Sequence, residues 1–143
     1  MADAGTAAES AAPALHHTLS LDSTSVLSLA VDQERGLLFA GTQSGSIVVC
    51  DLHTQQKRAL LLGHTRSVLA LALAHADGWL FSSSSDRTVR VWDAHALRPV
   101  ALIYPASENV GDILSLAWCA PLRTLYLLSL IHISEPTRRT PIS

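Results

Sequence analysis

The sequence predicts an all-β fold, because short apolar runs recur at a fixed spacing with turn residues between them. One copy aligns with the next without a gap at an offset of 42 residues, which carries residues 26–29 onto 68–71 and residues 47–51 onto 89–93. A third copy opens at Ile113. Apolar residues alternate within each run, as in strands that bury one face. Four short strands every ~40 to 45 residues is the period of a β-propeller blade, so we predict part of a propeller.

Turn residues set the order of the strands. Pairs such as Asp77 and Gly78 interrupt the apolar runs and favour tight turns between antiparallel neighbours. We expect strands at about residues 26–31, 37–42, 46–51 and 57–62, and again at 68–73, 79–84, 88–93 and 99–104. The prediction is a disordered segment at 1–13 and a partial propeller at 14–127, with blades at about 24–62, 63–104 and 113–127.

The composition limits which binding partners and which cellular location we expect. Charged residues make up 15% of the chain and the formal net charge is −2, so we expect no nucleic-acid or membrane partner. Cys50 and Cys119 lack the spacing of a disulfide framework and are predicted to be buried free thiols. The N-terminus lacks the pattern of a secretory signal, and no apolar stretch approaches the ~20 residues of a membrane helix. We therefore expect a cytoplasmic protein.

Polar residues around the strands of the second copy predict an internal hydrogen-bonded network. His64 precedes its first strand, a serine run followed by Asp86 leads into its third strand, and Trp92 lies near the end of that strand. An indole N–H, a hydroxyl, an imidazole and a carboxylate can be linked in that order. The pattern resembles the WD-repeat family, and the candidates for the network are Trp92, Ser82 or Ser84, His64 and Asp86.

Two alternatives concern the hydroxyl of this network: which serine provides it, and whether its role is structural or catalytic. A tight turn around Asp86 would put Trp92 opposite residue 81 or 82, which favours Ser82 over Ser84. A His, a Ser and an Asp also resemble a hydrolase triad. We expect the serine to face the tryptophan inside a blade, and no nucleophile elbow is present. We therefore predict a structural network and no catalytic residue.

The other two copies depart from this pattern. The 42-residue offset puts Asp22, Ala40, Ser44 and Cys50 at the network positions of the first copy. Without the polar set, the first copy is expected to be held by apolar packing alone. The third copy has Asn109 where the histidine would stand.

We predict no functional role for the other histidines, for two tryptophans or for three arginines, and expect them to pack in the core or to lie in solvent. The seven histidines have no carboxylate or cysteine partner at ligand spacing, so no metal or cofactor is predicted. Two of them lie in residues 15–21, a stretch that could close a propeller as an outer strand. Trp79 and Trp118 are expected to pack in the core. Three arginines could meet an acidic partner, although a solvated face is the favoured interpretation: Arg87, Arg90 and Arg98.

Three stretches carry a closer resemblance. They are residues 37–43 (LLFAGTQ) followed by Asp51 and Leu52, residues 64–69 (HTRSVL), and residues 103–104 (IY) followed by 111–116 (GDILSL). They are similar to the N-terminal WD-repeat region of the fungal peptidase subunit of cytosolic glutathione degradation. The resemblance covers about residues 24–127. It implies a longer parent protein, in which the propeller precedes a zinc metallopeptidase-like domain that pairs with a separate peptidase subunit.

The last part of the chain differs in character. Residues 128–138 (LSLIHISEPTR) are similar to the translation of a transposon-end sequencing adapter, codon by codon. The match falls where the second strand of the third copy should continue. We predict that residues 128–143 are adapter-derived and not native. The alternative is a divergent strand followed by a disordered end that contains proline.

These expectations point to a binding scaffold. We predict that the chain is a non-enzymatic, N-terminal part of a larger WD-repeat protein that binds other proteins. The alternative is the non-catalytic front end of a metallopeptidase, a di- or tripeptidase of glutathione degradation, with a peptidase subunit as partner. Two to three blades leave outer faces uncovered, so the isolated chain is expected to aggregate or remain partly unfolded.

Overall fold

Ten antiparallel strands build the computed structural model, which describes residues 12–13, 18–21, 24–105 and 110–131. Blade one consists of β1 (Val26–Asp32), β2 (Leu37–Thr42), β3 (Ile47–Asp51) and β4 (Gln56–Leu61). Blade two consists of β5 (Val68–Ala74), β6 (Trp79–Ser84), β7 (Val89–Asp93) and β8 (Arg98–Ile103). Blade three contributes β9 (Val110–Cys119) and β10 (Thr124–Ile131). No helix in these ranges is long and apolar enough to cross a bilayer.

Each blade is an antiparallel meander whose strands pair in chain order. The first strand of both complete blades has a β-bulge at the same place, between Val26 and Ser28 and between Val68 and Ala70. The predicted all-β fold, two four-stranded blades and the start of a third, is confirmed. The strands predicted in the first two copies begin and end within one residue of the observed ones.

Blades one and two pack face to face. We call the face of a blade that points to the next blade in the chain its forward face, and the opposite face its backward face. Leu37, Phe39 and Val49 on the forward face of blade one meet Leu80 and Trp92 on the backward face of blade two in one buried cluster. Burial of such side chains contributes ~1.5 to 3 kcal/mol each, so this contact fixes how the two blades lie together.

Blade two packs on blade three through aromatic rings. Phe81 on its forward face joins Ile113 and Leu125 of blade three in a second buried cluster. The rings of Phe81 and Trp118 are stacked with centroids 5.1 Å apart, and Trp79 meets both edge-on at 6.3 and 6.4 Å. The prediction that Trp79 and Trp118 pack against the core is confirmed.

The turn between β6 and β7 is longer than the two-residue turn assumed from the sequence. Trp92 lies opposite Leu80, so the expectation that it lies opposite residue 81 or 82 is wrong. Residues 85–87 form the loop, the backbone N–H of Arg87 donates to the Ser84 carbonyl at 3.1 Å, and the φ angle of Arg87 is +71°. A three-residue loop that ends in a left-handed residue is a common hairpin connection.

The turn between β2 and β3 in blade one is held by hydroxyl groups. The Thr42 hydroxyl lies 2.9 Å from the side-chain oxygens of both Ser44 and Ser46 and donates to the Ser46 carbonyl at 2.8 Å. Thr42 is fully buried, and buried polar groups need such partners. The expectation that blade one is held by apolar packing alone is therefore wrong.

Residues 18–21 lie against the backward face of blade one. Leu19 and Leu21 contact a buried cluster of Ala40, Val48 and Cys50. Residues 18–21 belong to no strand, and the rest of the stretch, with His16 and His17, lies outside the described residues. That this stretch closes a propeller stays a prediction.

Strand β10 extends into the adapter-like tail. Ser129 pairs with Ile113 and Ile131 with Val110, so residues 128–131 continue the sheet. Pairing reports a backbone conformation and not the origin of the codons, so the adapter interpretation stays a prediction. Residues 132–143, 1–11 and Asn109 lie outside the described residues.

Candidate functional site

The four network residues of the second copy are linked by hydrogen bonds on the backward face of blade two. The Trp92 Nε1 donates to the Ser82 Oγ at 2.8 Å. The Ser82 Oγ lies 2.7 Å from the His64 Nε2, and the His64 Nδ1 lies 2.9 Å from the Asp86 Oδ2. The structure therefore selects Ser82 over Ser84 as the hydroxyl in this chain.

Three separate segments bring these side chains together. Ser82 and Trp92 project from the same face because Trp92 pairs with Leu80, which leaves Ser82 at the diagonal position. Diagonal neighbours lie ~7 to 8 Å apart, within reach of an indole. His64 comes from the connection between β4 and β5, and Asp86 from the turn between β6 and β7.

The burial of His64 fixes the direction of the hydrogen bonds. Burial lowers the pKa of His64, and nearby Arg90 lowers it further, although Asp86 acts in the opposite direction. The imidazole is therefore neutral near pH 7 and carries one ring proton. Because Asp86 can only accept, Nδ1 holds that proton, and Nε2 accepts from the Ser82 hydroxyl. That hydroxyl in turn accepts from the Trp92 indole, so each of the four network side chains has a hydrogen-bond partner.

Asp86 joins two loops. Its Oδ2 accepts from His64 and from the backbone N–H of Thr65 at 3.1 Å. Its Oδ1 accepts from the backbone N–H of Thr88 at 2.9 Å and from the Thr88 hydroxyl. Burial raises the pKa of Asp86, but the hydrogen bonds from Thr88, His64 and Thr65 outweigh it and hold the pKa below the ordinary value. The carboxylate is thus fully used within the blade.

The neighbouring serines have different roles, which the sequence reasoning missed. The Ser83 hydroxyl donates to the Ile113 carbonyl at 3.0 Å and so links blade two to blade three. The Ser84 hydroxyl donates to the Arg66 carbonyl at 3.2 Å and accepts from the Asp86 backbone N–H at 3.0 Å. The alternation of faces along a strand was the available signal, since it sends Ser83 to the face opposite its neighbours.

The distances resemble those of a Ser-His-Asp triad, but the surroundings of the serine exclude a nucleophile. Ser82 has 0% exposed surface. Its Oγ already accepts from Trp92, and the indole packs against blade one. A substrate carbonyl therefore has no path to this oxygen.

Two open cavities lie beside blade one. One of ~550 Å³ is lined by Leu21, Thr24, Ser25, Gln43 and Ser44. A second of ~370 Å³ includes Cys50 and Lys57 in its lining. Among the described residues that line these two cavities there is no histidine and no carboxylate. Within the described ranges, no three His, Cys, Asp or Glu side chains lie together as metal ligands.

A second repeated arrangement lies at the opposite ends of the strands, and the sequence reasoning also missed it. The Asp93 carboxylate accepts the backbone N–H groups of His95 and Ala96 at 2.8 and 2.9 Å. This turn places the His95 ring over Gly78, where a Cβ would come within 2.5 Å of Nε2. The same three positions recur 42 residues earlier in blade one, at Asp51, His53 and Gly36. That spacing was the available signal.

The comparison with family models adds an independent observation to this geometry. Residues 55–93 match the model described as "WD domain, G-beta repeat". Residues 55–93 are therefore similar to a WD repeat. The matched segment runs from β4 of blade one through β7 of blade two, and therefore includes the four network residues His64, Ser82, Asp86 and Trp92. The matched segment therefore includes the outer strand of blade one, β4, together with the strands of blade two that carry the network.

Solved structures show the same fold around the WD repeat. "Structure of U3-55K" superposes with a TM-score of 0.68 at 18% identity, covering 76% of this chain and 34% of that one. "Crystal structure of RRP9 WD40 repeats" superposes with a TM-score of 0.62 at 21% identity, covering 73% and 30%. The chain spans about a third of the length of these structures. The comparison with curated proteins finds no match.

Proposed function

We propose that the chain is the WD-repeat part of a protein-interaction scaffold and carries out no chemistry of its own. The main support is the closed network on blade two. Its histidine, serine and aspartate are the residues that most resemble a catalytic set, and each is occupied by hydrogen bonds inside the blade. These hydrogen bonds can instead hold the adjacent loops in one conformation, in which they can bind a protein partner.

The network makes the loops at its end of the blades rigid. We call the connection at residues 63–67 and the turn at residues 85–87 the network-end loops. Asp86 joins them through the backbone N–H of Thr65. The Ser67 hydroxyl donates to the Gln43 carbonyl at 3.0 Å, which ties them to blade one. Loops held in this way lose little conformational entropy when a partner binds.

The exposed charges of these loops favour an acidic protein partner. Arg66 and Arg87 are exposed there, while the charge of Asp86 is used internally. Two arginines can pair with carboxylates but are too few to follow a nucleic-acid backbone. Arg90 is half-buried, with its guanidinium over Gly63, so it is less available than the sequence suggested.

A site-specific crosslink in cells tests this proposal. A photo-reactive amino acid at position 87 is expected to capture one partner, whereas the same group at Glu34, exposed at the other end of the blades, does not. The purified partner should then bind the Arg66→Ala, Arg87→Ala double variant at least ~10-fold more weakly. Capture at both positions alike, or unchanged affinity of the double variant, would exclude the network-end loops as the binding surface.

A second proposal is the non-catalytic front end of a glutathione-degrading metallopeptidase with a peptidase subunit as partner. It is supported by the resemblance of residues 37–43, 64–69 and 111–116. Those stretches lie in β2 and the residue after it, across the start of β5, and in β9. Sequencing the transcript beyond codon 127 decides between the proposals. Zinc-ligand motifs downstream support the peptidase, and a stop after about seven blades favours the scaffold alone.

We also propose a cytoplasmic location. Cys50 and Cys119 are free thiols, which suits a reducing compartment. Burial raises the pKa of the Cys50 thiol and so keeps it protonated and unreactive. A fluorescent fusion of the chain should fill the cytoplasm, and signal confined to the secretory pathway would contradict the proposal.

A further inference from the structure

We infer that Arg90 and Leu102 form a docking site for one acidic side chain of a protein partner, in which the guanidinium binds the carboxylate and the leucine contacts an apolar neighbour of it. The inference rests on the proposed function, because it assigns a second contact to the same acidic partner. The site lies in the gap between the two complete blades, beside the network-end loops. We call Arg90, Leu102 and the backbone of Gly63 the rim notch.

Blade one covers only the inner part of the backward face of blade two. One row of paired residues crosses this face from β5 to β8, in the order Leu71, Ser82, Arg90 and Leu102. Ser82 is 0% exposed, Arg90 is half-buried and Leu102 is 38% exposed. The cover that blade one provides therefore ends at Arg90, and the two blades separate from there outward.

Leu102 is exposed although the blade that faces it is present. Its equivalent in blade one, 42 residues earlier, is Leu60, which lies on a backward face that no further blade covers within the described residues. Leu60 is 41% exposed and Leu102 is 38% exposed. A facing blade therefore changes the exposure of this outer position very little. The gap between the outer strands is open in a stacked pair of blades, and does not depend on where the sequence begins.

Arg90 has no acceptor for its charge among the described residues. Its Nε is buried without a hydrogen-bond partner, and no described carboxylate forms an ion pair with it. The guanidinium lies against Gly63, where a Cβ would come within 2.9 Å of Nη1. A half-buried charge without a counterion lowers stability, because its desolvation is not compensated. A carboxylate from outside the chain would provide that compensation through a bidentate contact.

The shape and charge of the rim notch favour one acidic side chain with an apolar neighbour. A flat surface does not reach Arg90, because the guanidinium lies low over Gly63, whereas a single side chain can enter between the outer strands. Leu102 lies directly opposite Arg90 on the next strand, so an apolar residue beside the acid would contact it. Arg66 and Arg87 on the network-end loops have the same charge, so one acidic partner suits both surfaces.

A variant that removes the charge but keeps the packing tests the role of Arg90. Methionine retains an unbranched apolar chain and lacks the guanidinium. With the partner that is captured at position 87, Arg90→Met should weaken binding at least ~10-fold. The urea midpoint of the unbound protein should stay equal or rise, because an uncompensated charge is removed. A lower midpoint with unchanged affinity would mean that Arg90 only packs, and would overturn the inference.

Arg90→Lys and Arg98→Met are the matched variants for charge. Lysine keeps the charge but cannot make the bidentate contact, so Arg90→Lys should bind more strongly than Arg90→Met and more weakly than the unchanged chain. Arg98 is exposed at the start of β8, at the other end of the blades, and Arg98→Met should bind like the unchanged chain. Equal weakening by Arg98→Met would mean that net charge matters and the rim notch does not.

Two equally exposed leucines provide a matched pair for crosslinking. Leu102 is 38% exposed, and Leu52, which follows β3 at the other end of the blades, is 37% exposed. A photo-reactive amino acid at position 102 should capture the same partner as one at position 87. The same group at position 52 should not capture it. Capture at positions 52 and 102 alike would overturn the inference.

A thermodynamic cycle identifies the group that the partner inserts. Each Asp or Glu in the partner segment crosslinked to position 102 is changed to its amide. One such change should weaken binding to the unchanged chain and have no further effect on binding to Arg90→Met. Additive effects at every position would exclude a direct contact. Phosphatase treatment of the partner should leave its affinity unchanged, and a loss would assign the anion to a phosphate and overturn the carboxylate.

The outcomes separate this inference from the proposed function. If no partner is captured at position 87, the proposed function fails and the rim notch fails with it. If the Arg66→Ala, Arg87→Ala double variant weakens binding and Arg90→Met does not, the rim notch alone is excluded.

Discussion

Gly45 and Arg87 occupy the same position in the turns of adjacent blades, and both have a left-handed backbone, with φ angles of +97° and +71°. At Gly45 a Cβ would come within 2.6 Å of the His64 carbonyl oxygen, so only glycine fits where this turn meets the next blade. Arg87 projects from an exposed turn, where a side chain fits but the backbone is strained. The strain is retained at a residue that the proposed function places in the binding surface.

Replacing Arg87 by glycine should stabilise the protein. Glycine adopts this φ without a Cβ penalty, so we expect Arg87→Gly to raise the free energy of unfolding by about 0.5 to 1 kcal/mol. Urea unfolding at one fixed low protein concentration measures it. A lower free energy of unfolding would show that the arginine side chain contributes more than the strain costs.

The matched change in blade one should have the opposite sign. Gly45→Ala combines a left-handed backbone with a Cβ that meets a backbone carbonyl, and we expect a loss of about 1 to 3 kcal/mol. Gln43→Ala is the control, since it shortens a neighbouring exposed side chain and leaves the hydroxyl contacts of Thr42 in place. Equal losses in the two variants would mean that the steric reason is wrong.

Removing the Ser82 hydroxyl should destabilise blade two. Ser82→Ala leaves the Trp92 indole N–H and the His64 Nε2 without partners in a buried site, which costs about 1 to 3 kcal/mol. Ser85→Ala, in the half-exposed turn of the same serine run, should change stability by less than about 0.5 kcal/mol. Similar values for both serines would remove the network assignment.

Stability should fall as pH is lowered through the range of an ordinary histidine. The pKa of His64 is lower in the folded chain than its ordinary value of 6.5, so below that pH the unfolded chain binds the proton that the folded chain excludes. The contribution of the neutral His64 to the free energy of unfolding is therefore complete above pH 6.5. Below that pH it decreases, by no more than ~1.4 kcal/mol per pH unit.

Urea unfolding between pH 7.5 and 5 checks the slope. His64→Gln keeps a polar side chain but cannot titrate, so its stability should depend less on pH over this range. Asp86 adds its own loss only at lower pH, because its folded pKa lies below 3.8 and its hydrogen bonds are lost as pH falls through that folded value. Parallel slopes for the variant and the unchanged chain would locate the titration elsewhere.

The fold could be predicted because it depends on periodicity. The repeat from Val26 to Val68 fixes strand order and strand length, and both follow from which residues must face a neighbouring blade. The four network residues could be predicted because each provides a different chemical group. Their exact register could not, because Arg87 gives no sequence sign of the left-handed conformation that lengthens the turn.

The contacts that escaped prediction are those made by common residues. Thr42 donates to the Ser46 carbonyl within its own turn, and Ser83 donates to the Ile113 carbonyl of the next blade. His95 over Gly78 depends on a turn that Asp93 closes through backbone N–H groups. Hydroxyls and backbone groups occur throughout a sequence, so such pairs become specific only in three dimensions.

The protonation of the His64 ring tests the central claim, that blade two is held by a directed chain of hydrogen bonds from Trp92 to Asp86. Nitrogen NMR of histidine-labelled protein at pH 7 reports each ring nitrogen separately. We predict a neutral ring with the proton on Nδ1 and none on Nε2, because Asp86 accepts from Nδ1 and Ser82 donates to Nε2. A proton on Nε2, in either the neutral or the charged ring, would contradict the account.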